Sequence, residues 1–366
     1  MSRPLSPAVL IGALAPLTRP GWAEAGRHLL AGLELAAGEV NAAGGIAGRP
    51  LELVVRDTAA DPRRAEAAVD ELARLGVAAV AGEYHSVVAR AVADRADALG
   101  LPFLCSSAVL DQLTEQPTHW VGRLAPPQSR GWRLYADFLL RTGHTSIAVA
   151  AQPSVYWASG TRILRDHLVP HGGTVTEVAL THLCDELAES RATALLLLTG
   201  YPEPAVPIVQ AVRRDRRLAD VVIGAPAGQP EFAGWAASLG RDGAGIPFLR
   251  YLPERLGPLG ARVEAALRER LGEEPSFVAF EGYDTVAVLA AVLLTHGTDR
   301  TRIAASWPEV EVEGTRGRIR FSCTEGVGVW QWAGAPIHIA DRDPDRSERF
   351  RILHTHDGPE QSSRPS

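Results

Sequence analysis

The sequence predicts an α/β protein built from two Rossmann-like lobes that are joined by a multi-stranded hinge. Short apolar runs alternate with amphipathic segments from Ala8 to about Gly297, which is typical of βαβ units with a parallel sheet. This alternation occurs in two successive series, separated by a break at Pro126-Pro127. The chain has 366 residues, whereas a single hydrophobic core stops growing near about 250–300 residues. We therefore expect two cores.

In the first series, each predicted strand is followed by an amphipathic helix. Leu29, Leu33 and Ala36 lie three or four residues apart, which gives one apolar helix face. Asp61-Pro62 is a typical helix start, because the carboxylate accepts free amides and proline occupies the first helical position without losing a hydrogen bond. The strands are predicted at Ala8–Leu14, Leu51–Val55, Val77–Ala81 and Leu101–Cys105.

The second series repeats this pattern, and later α/β material takes the chain back to the first lobe. Strands are predicted at Ile147–Ala151, Thr174–Val178, Ala194–Thr199, Val221–Gly224 and Ile246–Tyr251, and late helices at Leu259–Leu271 and Phe277–His296. The predicted domains are residues 8–122 plus 248–328 for the N-terminal lobe, residues 123–247 plus 329–345 for the C-terminal lobe, and residues 346–366 as a polar tail.

Composition excludes several functional classes. The chain has 37 basic and 43 acidic side chains, a net charge of −6, and every basic residue is arginine. Without a basic run we expect no nucleic-acid partner, and without lysine there is no Schiff-base or P-loop chemistry. Neither a Gly-x-Gly-x-x-Gly after a strand nor a Gly-x-Ser-x-Gly occurs. We therefore expect no cofactor and no enzymatic activity.

The potential metal ligands are also sparse. The cysteines are far apart and show no metal-binding spacing, so we expect buried or partly buried thiols in a reducing compartment. The histidines near the end of the chain could hold a metal with an adjacent aspartate, but a solvated tail is the simpler interpretation. These residues are Cys105, Cys184 and Cys323, and His354, His356 and Asp357. We expect no metal site.

The first residues of the chain bear on where in the cell the protein is located. The apolar run Ala8–Ile11 is brief and is soon followed by Pro16, whereas a secretory leader needs a longer apolar stretch. Other apolar runs are shorter than the roughly 20 residues of a membrane span. We expect a cytoplasmic protein without membrane insertion; a periplasmic or extracellular location is the alternative if a leader is missing from the sequence.

Small hydroxyls and aromatics follow the predicted strands, where open α/β sheets bind their ligands. Ser86 lies between a strand and a helix, so its hydroxyl and the first free helix amides suit a carboxylate or carbonyl oxygen. Ser106, Ser107 and Ala108 follow the next strand in the same way. In the second series, the side chains that follow the predicted strands are aromatic: Tyr156 and Tyr201.

Several segments resemble the type I periplasmic binding proteins. The resemblance is to the Leu/Ile/Val-binding family, the substrate-binding proteins of branched-chain amino acid ABC transporters, with similarity to the cytosolic amide-sensing branch. It covers about residues 8–340. The segments that carry it are Ile11-Gly12, Glu39–Leu51, Asp61-Pro62, Gly314–Phe321 and Trp330–Trp332.

The resemblance implies roles for individual residues. In this family the first lobe holds the carboxylate or amide oxygen of the ligand, here at Ser86 and at Ser106–Ala108. Tyr84 is similar to an aromatic of the amide-sensing branch, and Trp22 lies near the aromatic that covers the ligand. Tyr156 and Tyr201 are similar to aromatics of the second lobe.

The sequence departs from the family pattern at one position that bears on the charge of the ligand. Amino-acid-binding members place a carboxylate after the strand that corresponds to Val221–Gly224, but this chain has Ala225-Pro226-Ala227-Gly228. An unpaired buried ammonium is unfavourable, so an α-amino acid is disfavoured unless Glu203 or Glu231 substitutes.

These observations predict a non-enzymatic protein that closes by hinge motion over a small polar ligand in a cleft between the lobes. The ligand would be an amino acid, an amide, a urea-like compound or a derivative, and the protein would be a cytosolic sensor with a regulator as its partner. The alternative is the substrate-binding receptor of an amino-acid ABC transporter, with a permease as its partner. An enzyme built on this fold is a third hypothesis.

Overall fold

The structure is a computed structural model that describes residues 7–323 and 326–355, and it confirms the α/β class. The chain divides into two units, each formed by several segments. Unit 1 contains the chain up to Ser129, Phe232–Gly234 and Arg255–Pro336, and unit 2 contains Arg130–Glu231, Trp235–Glu254 and the chain from Ile337 onwards.

Strands and helices alternate through most of the chain. The strands are β1 (Val9–Ala15), β2 (Leu51–Asp57), β3 (Ala79–Gly82), β4 (Phe103–Cys105), β5 (Val121–Arg123), β6 (Ser146–Ala151), β7 (Thr174–Glu177), β8 (Ala194–Leu198), β9 (Val222–Gly224), β10 (Phe248–Arg250), β11 (Glu311–Gly314), β12 (Gly317–Cys323), β13 (Trp330–Trp332), β14 (His338–Arg342) and β15 (Phe350–Thr355). The helices are α1 (Ala23–Ala42), α2 (Pro62–Arg74), α3 (Ser86–Ala98), α4 (Gln128–Arg141), α5 (Val155–Leu168), α6 (Leu183–Ser190), α7 (Ala205–Arg214), α8 (Ala233–Leu239), α9 (Pro258–Leu271), α10 (Phe277–His296) and α11 (Arg300–Ala305).

Unit 1 is built on an eight-stranded sheet in the order β11-β12-β13-β5-β4-β3-β1-β2. The strands from β13 to β2 are parallel neighbours, whereas β11 and β12 extend the sheet as antiparallel strands. Because parallel strands end at one edge, the segments that follow β3 and β4 lie next to each other. The Asp61 side chain caps α2 by accepting the amide hydrogens of Arg63 and Arg64, as the sequence predicts.

The closest helix contact in unit 1 joins α1 and α10, and two glycines make it possible. A Cβ atom on Gly32 would lie 1.9 Å from the Ala279 carbonyl oxygen. A Cβ on Gly282 would lie 2.3 Å from the Leu29 oxygen. The two backbones therefore touch where any larger side chain would keep them apart.

Helix α10 is buried on most of its surface. Of its 20 residues, 15 are buried, including Glu281 and Asp284. By length and hydropathy alone it could cross a membrane, but 83% of its most apolar window is buried inside the protein. A core helix can be as long and as apolar as a membrane-spanning helix, and burial of this extent is typical of a core helix.

Unit 2 contains two sheets. The first is parallel, with the order β7-β6-β8-β9, and the second is antiparallel, with the order β10-β14-β15. The apolar core around the first sheet includes the fully buried residues Leu195, Leu197 and Trp235. The central strand β8 is buried at every position, as expected for a strand with helices on both faces.

The structure differs from the predicted organisation near the C-terminus. Residues 350–355, expected in a polar tail, form β15, because the Phe350 ring packs on Phe248 with 5.8 Å between ring centroids. Residues 330–332, expected in the C-terminal lobe, form β13 in the sheet of unit 1. His354 lies on β15, whereas His356 and Asp357 lie outside the described residues.

We predict opposite effects for two glycine substitutions on α1. Gly32→Ala will destabilise the protein by about 3 kcal/mol, because the new methyl group overlaps the backbone of α10. Gly38→Ala is the matched control, since nothing lies within 4 Å of its Cβ position. It will stabilise the helix by about 0.5–1 kcal/mol, because alanine has the higher helix propensity. Urea unfolding of both variants measures the difference, and equal stabilities would contradict the contact.

Candidate ligand-binding site

Ser86 lies at the carboxyl edge of the sheet in unit 1, as the first residue of α3. Its hydroxyl oxygen accepts the amide hydrogens of Val109 at 3.2 Å and Leu110 at 3.3 Å. The structure thus brings together Ser86 and the loop after β4, two predicted parts of the site. Since both acceptor positions of the hydroxyl are used, Ser86 acts toward a ligand as a hydrogen-bond donor.

The loop of residues 106–110, which we call the serine loop, is fixed from several sides. The amide of Ser106 donates to the Gly82 carbonyl at 2.9 Å, and the Ser107 hydroxyl donates to the Ser106 hydroxyl at 3.1 Å. Arg123 donates from Nη1 to the Leu110 carbonyl. Ser106, Ser107 and Ala108 are all buried. These contacts hold the predicted residues in one arrangement before any ligand is present.

A buried carboxyl group lies beneath the serine loop. Glu281 of α10 is fully buried, and its Oε1 lies 3.1 Å from Nη1 of Arg316. Burial raises the pKa of Glu281 to about 7, and this shift is opposed by the Arg316 guanidinium and the Ser107 hydroxyl. Arg316 also donates from Nε to Asp284 at 3.0 Å. One guanidinium therefore contacts two carboxyl groups of α10.

A second buried carboxyl group, Glu83, directly follows β3. Its Oε2 accepts the Thr58 hydroxyl at 2.8 Å, and its Oε1 accepts the amides of Tyr84 and His85, each at 2.9 Å. Burial nevertheless raises the pKa of Glu83 to about 7, because desolvation of the charge outweighs these hydrogen bonds. Glu83 thereby holds the backbone that presents Tyr84 and Ser86.

The predicted aromatics of unit 1 lie together around a third ring. Trp22 and Tyr84 meet edge to face at 5.6 Å between centroids. The Phe232 ring lies 4.3 Å from Trp22 and 6.3 Å from Tyr84, and it is fully buried. The sequence could not indicate Phe232, because it is separated from the other rings by more than a hundred residues and carries no motif. Much of the apolar surface of Trp22 and Tyr84 is therefore covered by the protein itself.

The predicted aromatics of unit 2 are only half-buried. Tyr156 lies in the first turn of α5, with its ring 4.6 Å from Trp157 and 6.0 Å from Trp132. Tyr201 follows β8 and packs against Trp235 at 6.0 Å. Both keep the accessible surface that a ligand-contacting aromatic needs. Their role in binding stays a prediction.

The two candidate glutamates of unit 2 differ in their surroundings. Glu231 is buried, and its Oε2 already accepts Nε of Arg250 at 2.9 Å. Glu203 is exposed. Two buried polar side chains that the sequence analysis did not single out lie at the strand ends instead, Thr199 after β8 and Gln229 after β9.

Glu24, His28 and Glu273 are close enough to suggest a metal site. However, Nδ1 of His28 accepts the amide hydrogen of Ser276 at 3.0 Å. The ring proton is therefore on Nε2, which donates to Glu273 at 3.0 Å. Nε2 has no lone pair for a metal in this arrangement, so these residues form a structural hydrogen-bond network. Of the cysteines, Cys105 is buried, with its pKa raised to about 12 by burial, Cys184 is half-buried and Cys323 is exposed.

We predict that Glu83 makes stability depend on pH. Because its pKa is raised from 4.5 to about 7, the folded state keeps a proton that the unfolded state loses, so stability falls as pH rises from about 4.5 to 7. Glu83→Gln removes this contribution, and the stability of the wild type relative to the variant will fall by roughly 3 kcal/mol over that interval. Urea unfolding at pH 5 and pH 8 measures it. The exposed Glu66→Gln is the control, and parallel pH profiles for wild type and Glu83→Gln would contradict the assignment.

Comparison with known proteins agrees with this architecture. The periplasmic binding protein family matches residues 8–337. A Leu/Ile/Val-binding protein homolog of Brucella abortus is 33% identical over 134 residues, which is 36% of this chain and 33% of that protein. The chain thus aligns with about a third of the length of this curated relative.

Two solved structures cover nearly the whole chain. A substrate-binding protein of an ABC transporter from Desulfitobacterium hafniense, in complex with Leu, has a TM-score of 0.77 and 22% identity, with 95% of this chain and 100% of that chain covered. A solute-binding protein from R. palustris in complex with benzoate has a TM-score of 0.80 and 17% identity, with 95% and 96% covered. These likenesses show the fold. The Brucella relative confirms the resemblance to the Leu/Ile/Val-binding proteins, and the match over residues 8–337 shows that the chain belongs to the periplasmic binding protein family.

Proposed function

We propose that this protein is the substrate-binding receptor of an ABC transporter. The observation that carries the proposal is the serine loop with Ser86, a rigid set of buried hydroxyls at the carboxyl edge of a parallel sheet. The ligand is a small polar molecule, an amino acid or a related compound, whose carboxylate or carbonyl oxygen binds at Ser86 and the serine loop. Its partner is an ABC permease, and its place of action is outside the cytoplasmic membrane.

The local chemistry supports an oxygen ligand at this edge. Ser86 keeps only its donor function, because its oxygen already accepts two amides of the serine loop. A hydroxyl that donates to a charged or polarised oxygen in a site of low dielectric forms a stronger hydrogen bond than it does in water. Tyr156 and Tyr201 would then contact the apolar part of the ligand.

The names of similar proteins favour transport over sensing. The structural relatives described above carry the names of transporter components, bound to Leu or to benzoate. They are substrate-binding proteins, which also supports a non-enzymatic role. The cytosolic sensor expected from the sequence draws no support from them. Neighbouring genes for a permease and an ATPase would favour the transporter, and a neighbouring regulator gene would favour the sensor.

We predict that the wild-type protein binds at least one member of a panel of amino acids, carboxamides, ureas and aromatic carboxylates. Ser86→Ala will weaken that binding about tenfold or more, because it removes a donor and loosens two amides of the serine loop. Isothermal titration calorimetry measures the affinities, and mass spectrometry of the recovered ligand checks that it is unaltered.

Ser322→Ala is the matched control, since Ser322 is half-buried on β12, three strands from β4 in the sheet order. Its affinity will equal that of the wild type. Absence of binding across the whole panel would contradict the proposed function, and equal affinities for wild type and Ser86→Ala would contradict the assigned residue.

A further inference from the structure

Two buried polar atoms in unit 2 have no hydrogen-bond partner in the described part of the chain: Oε1 of Gln229 and Oγ1 of Thr199. Each side chain is only 1% exposed. Thr199 directly follows β8 and Gln229 comes shortly after β9, so both lie at the carboxyl ends of neighbouring parallel strands. Ligands of open α/β sheets bind at this edge.

The orientation of the Gln229 amide is fixed by its other end. Nε2 donates to the Thr199 carbonyl at 3.0 Å and to the Leu197 carbonyl at 3.5 Å. Exchanging the oxygen and nitrogen would place Oε1 against two carbonyl oxygens, so the reverse orientation is excluded. Oε1 is therefore an acceptor that the protein leaves unused.

The segment around Gln229 is also held in place. Arg342 donates from Nε to the Pro230 carbonyl at 2.6 Å and from Nη2 to the Glu231 carbonyl at 3.1 Å. On the other strand, the amide of Gly200, next to Thr199, donates to Oε1 of Gln152 at 2.6 Å. The two unpartnered atoms thus belong to segments that cannot easily turn to satisfy them.

The nearby charges decide which donor fits. Glu231 is already paired with Arg250, and the Glu203 side chain is exposed to solvent, so neither is an unpaired buried carboxylate beside Gln229. A buried ammonium without a counter-ion is strongly unfavourable. A neutral –NH₂ group has hydrogens for both acceptors and brings no charge into the site.

We propose that Gln229 and Thr199 form a subsite for a neutral –NH₂ group, and that Gln229 is a specificity-determining residue that selects a primary carboxamide or a urea over an α-amino acid. This inference rests on the proposed function and specifies its ligand. The ligand's –NH₂ donates one hydrogen to Oε1 of Gln229 and the other to the Thr199 hydroxyl.

Calorimetry with matched probes tests the proposal. The probes are urea and two pairs of equal skeleton, propionamide with alanine and 4-methylpentanamide with leucine. The wild type will bind the carboxamide or urea at least tenfold more tightly than the amino acids. Gln229→Met keeps the approximate shape and removes the Oε1 acceptor, so carboxamide affinity will fall about tenfold while amino-acid affinity stays unchanged.

Two further variants complete the test. Gln210→Met, on α7 and half-buried, is the matched control for the substitution and will keep the wild-type preference. Thr199→Val removes the second acceptor without a change of shape. It will weaken carboxamide binding about tenfold while the unliganded protein stays at least as stable as the wild type, so a loss of folding in Gln229→Met would not leave the proposal untested.

The outcomes separate this proposal from the proposed function. A wild type that binds amino acids more tightly, or an unchanged preference in Gln229→Met together with unchanged carboxamide affinity in Thr199→Val, would overturn the subsite while leaving the receptor role intact. The two atoms would then hold a buried water only. Absence of binding for every probe and every member of the wider panel would overturn the receptor role itself.

Discussion

The close packing of α1 against α10 at Gly32 and Gly282 is the constraint on which unit 1 depends. It brings the backbone of α10 against α1 and places the middle of α10 deep in the core. A helix in that position cannot send polar side chains to water, so Glu281 and Asp284 need partners inside the protein. Arg316 contacts both carboxyl groups, and its position fixes the turn between β11 and β12.

The candidate site is a consequence of hydrogen-bond satisfaction rather than of any single reactive group. A buried loop is stable only if its amides and carbonyls have partners. Ser86 satisfies two amides of the serine loop, and Arg123 satisfies a carbonyl. The same contacts that stabilise the loop therefore orient its hydroxyls. The hydrogen bonds that stabilise the serine loop are thus the same ones that prepare it for a ligand.

The sequence predicted the α/β class and the strand ends at which the candidate residues lie, because hydrophobic periodicity and chain direction determine both. It could not predict features that depend on distant contacts. Phe232 packs beside Trp22, from which it is far away in the sequence. The pairing of Glu231 with Arg250 involves two residues that belong to no motif. The strand β15 was missed because its apolar residues Phe350, Ile352 and Leu353 follow a highly charged stretch, and its stability depends on Phe350 packing on Phe248.

The contacts of Arg342 have a thermodynamic consequence. A planar guanidinium donates in several directions at once, and this one holds the carbonyls of Pro230, Glu231 and Ser347 together. The conformational entropy of the segment beside Gln229 is therefore lost when the protein folds, not when a ligand arrives. A small ligand that forms few contacts gains most from such preorganisation, since ordering each mobile side chain would otherwise reduce its binding free energy by about 0.5–1.5 kcal/mol.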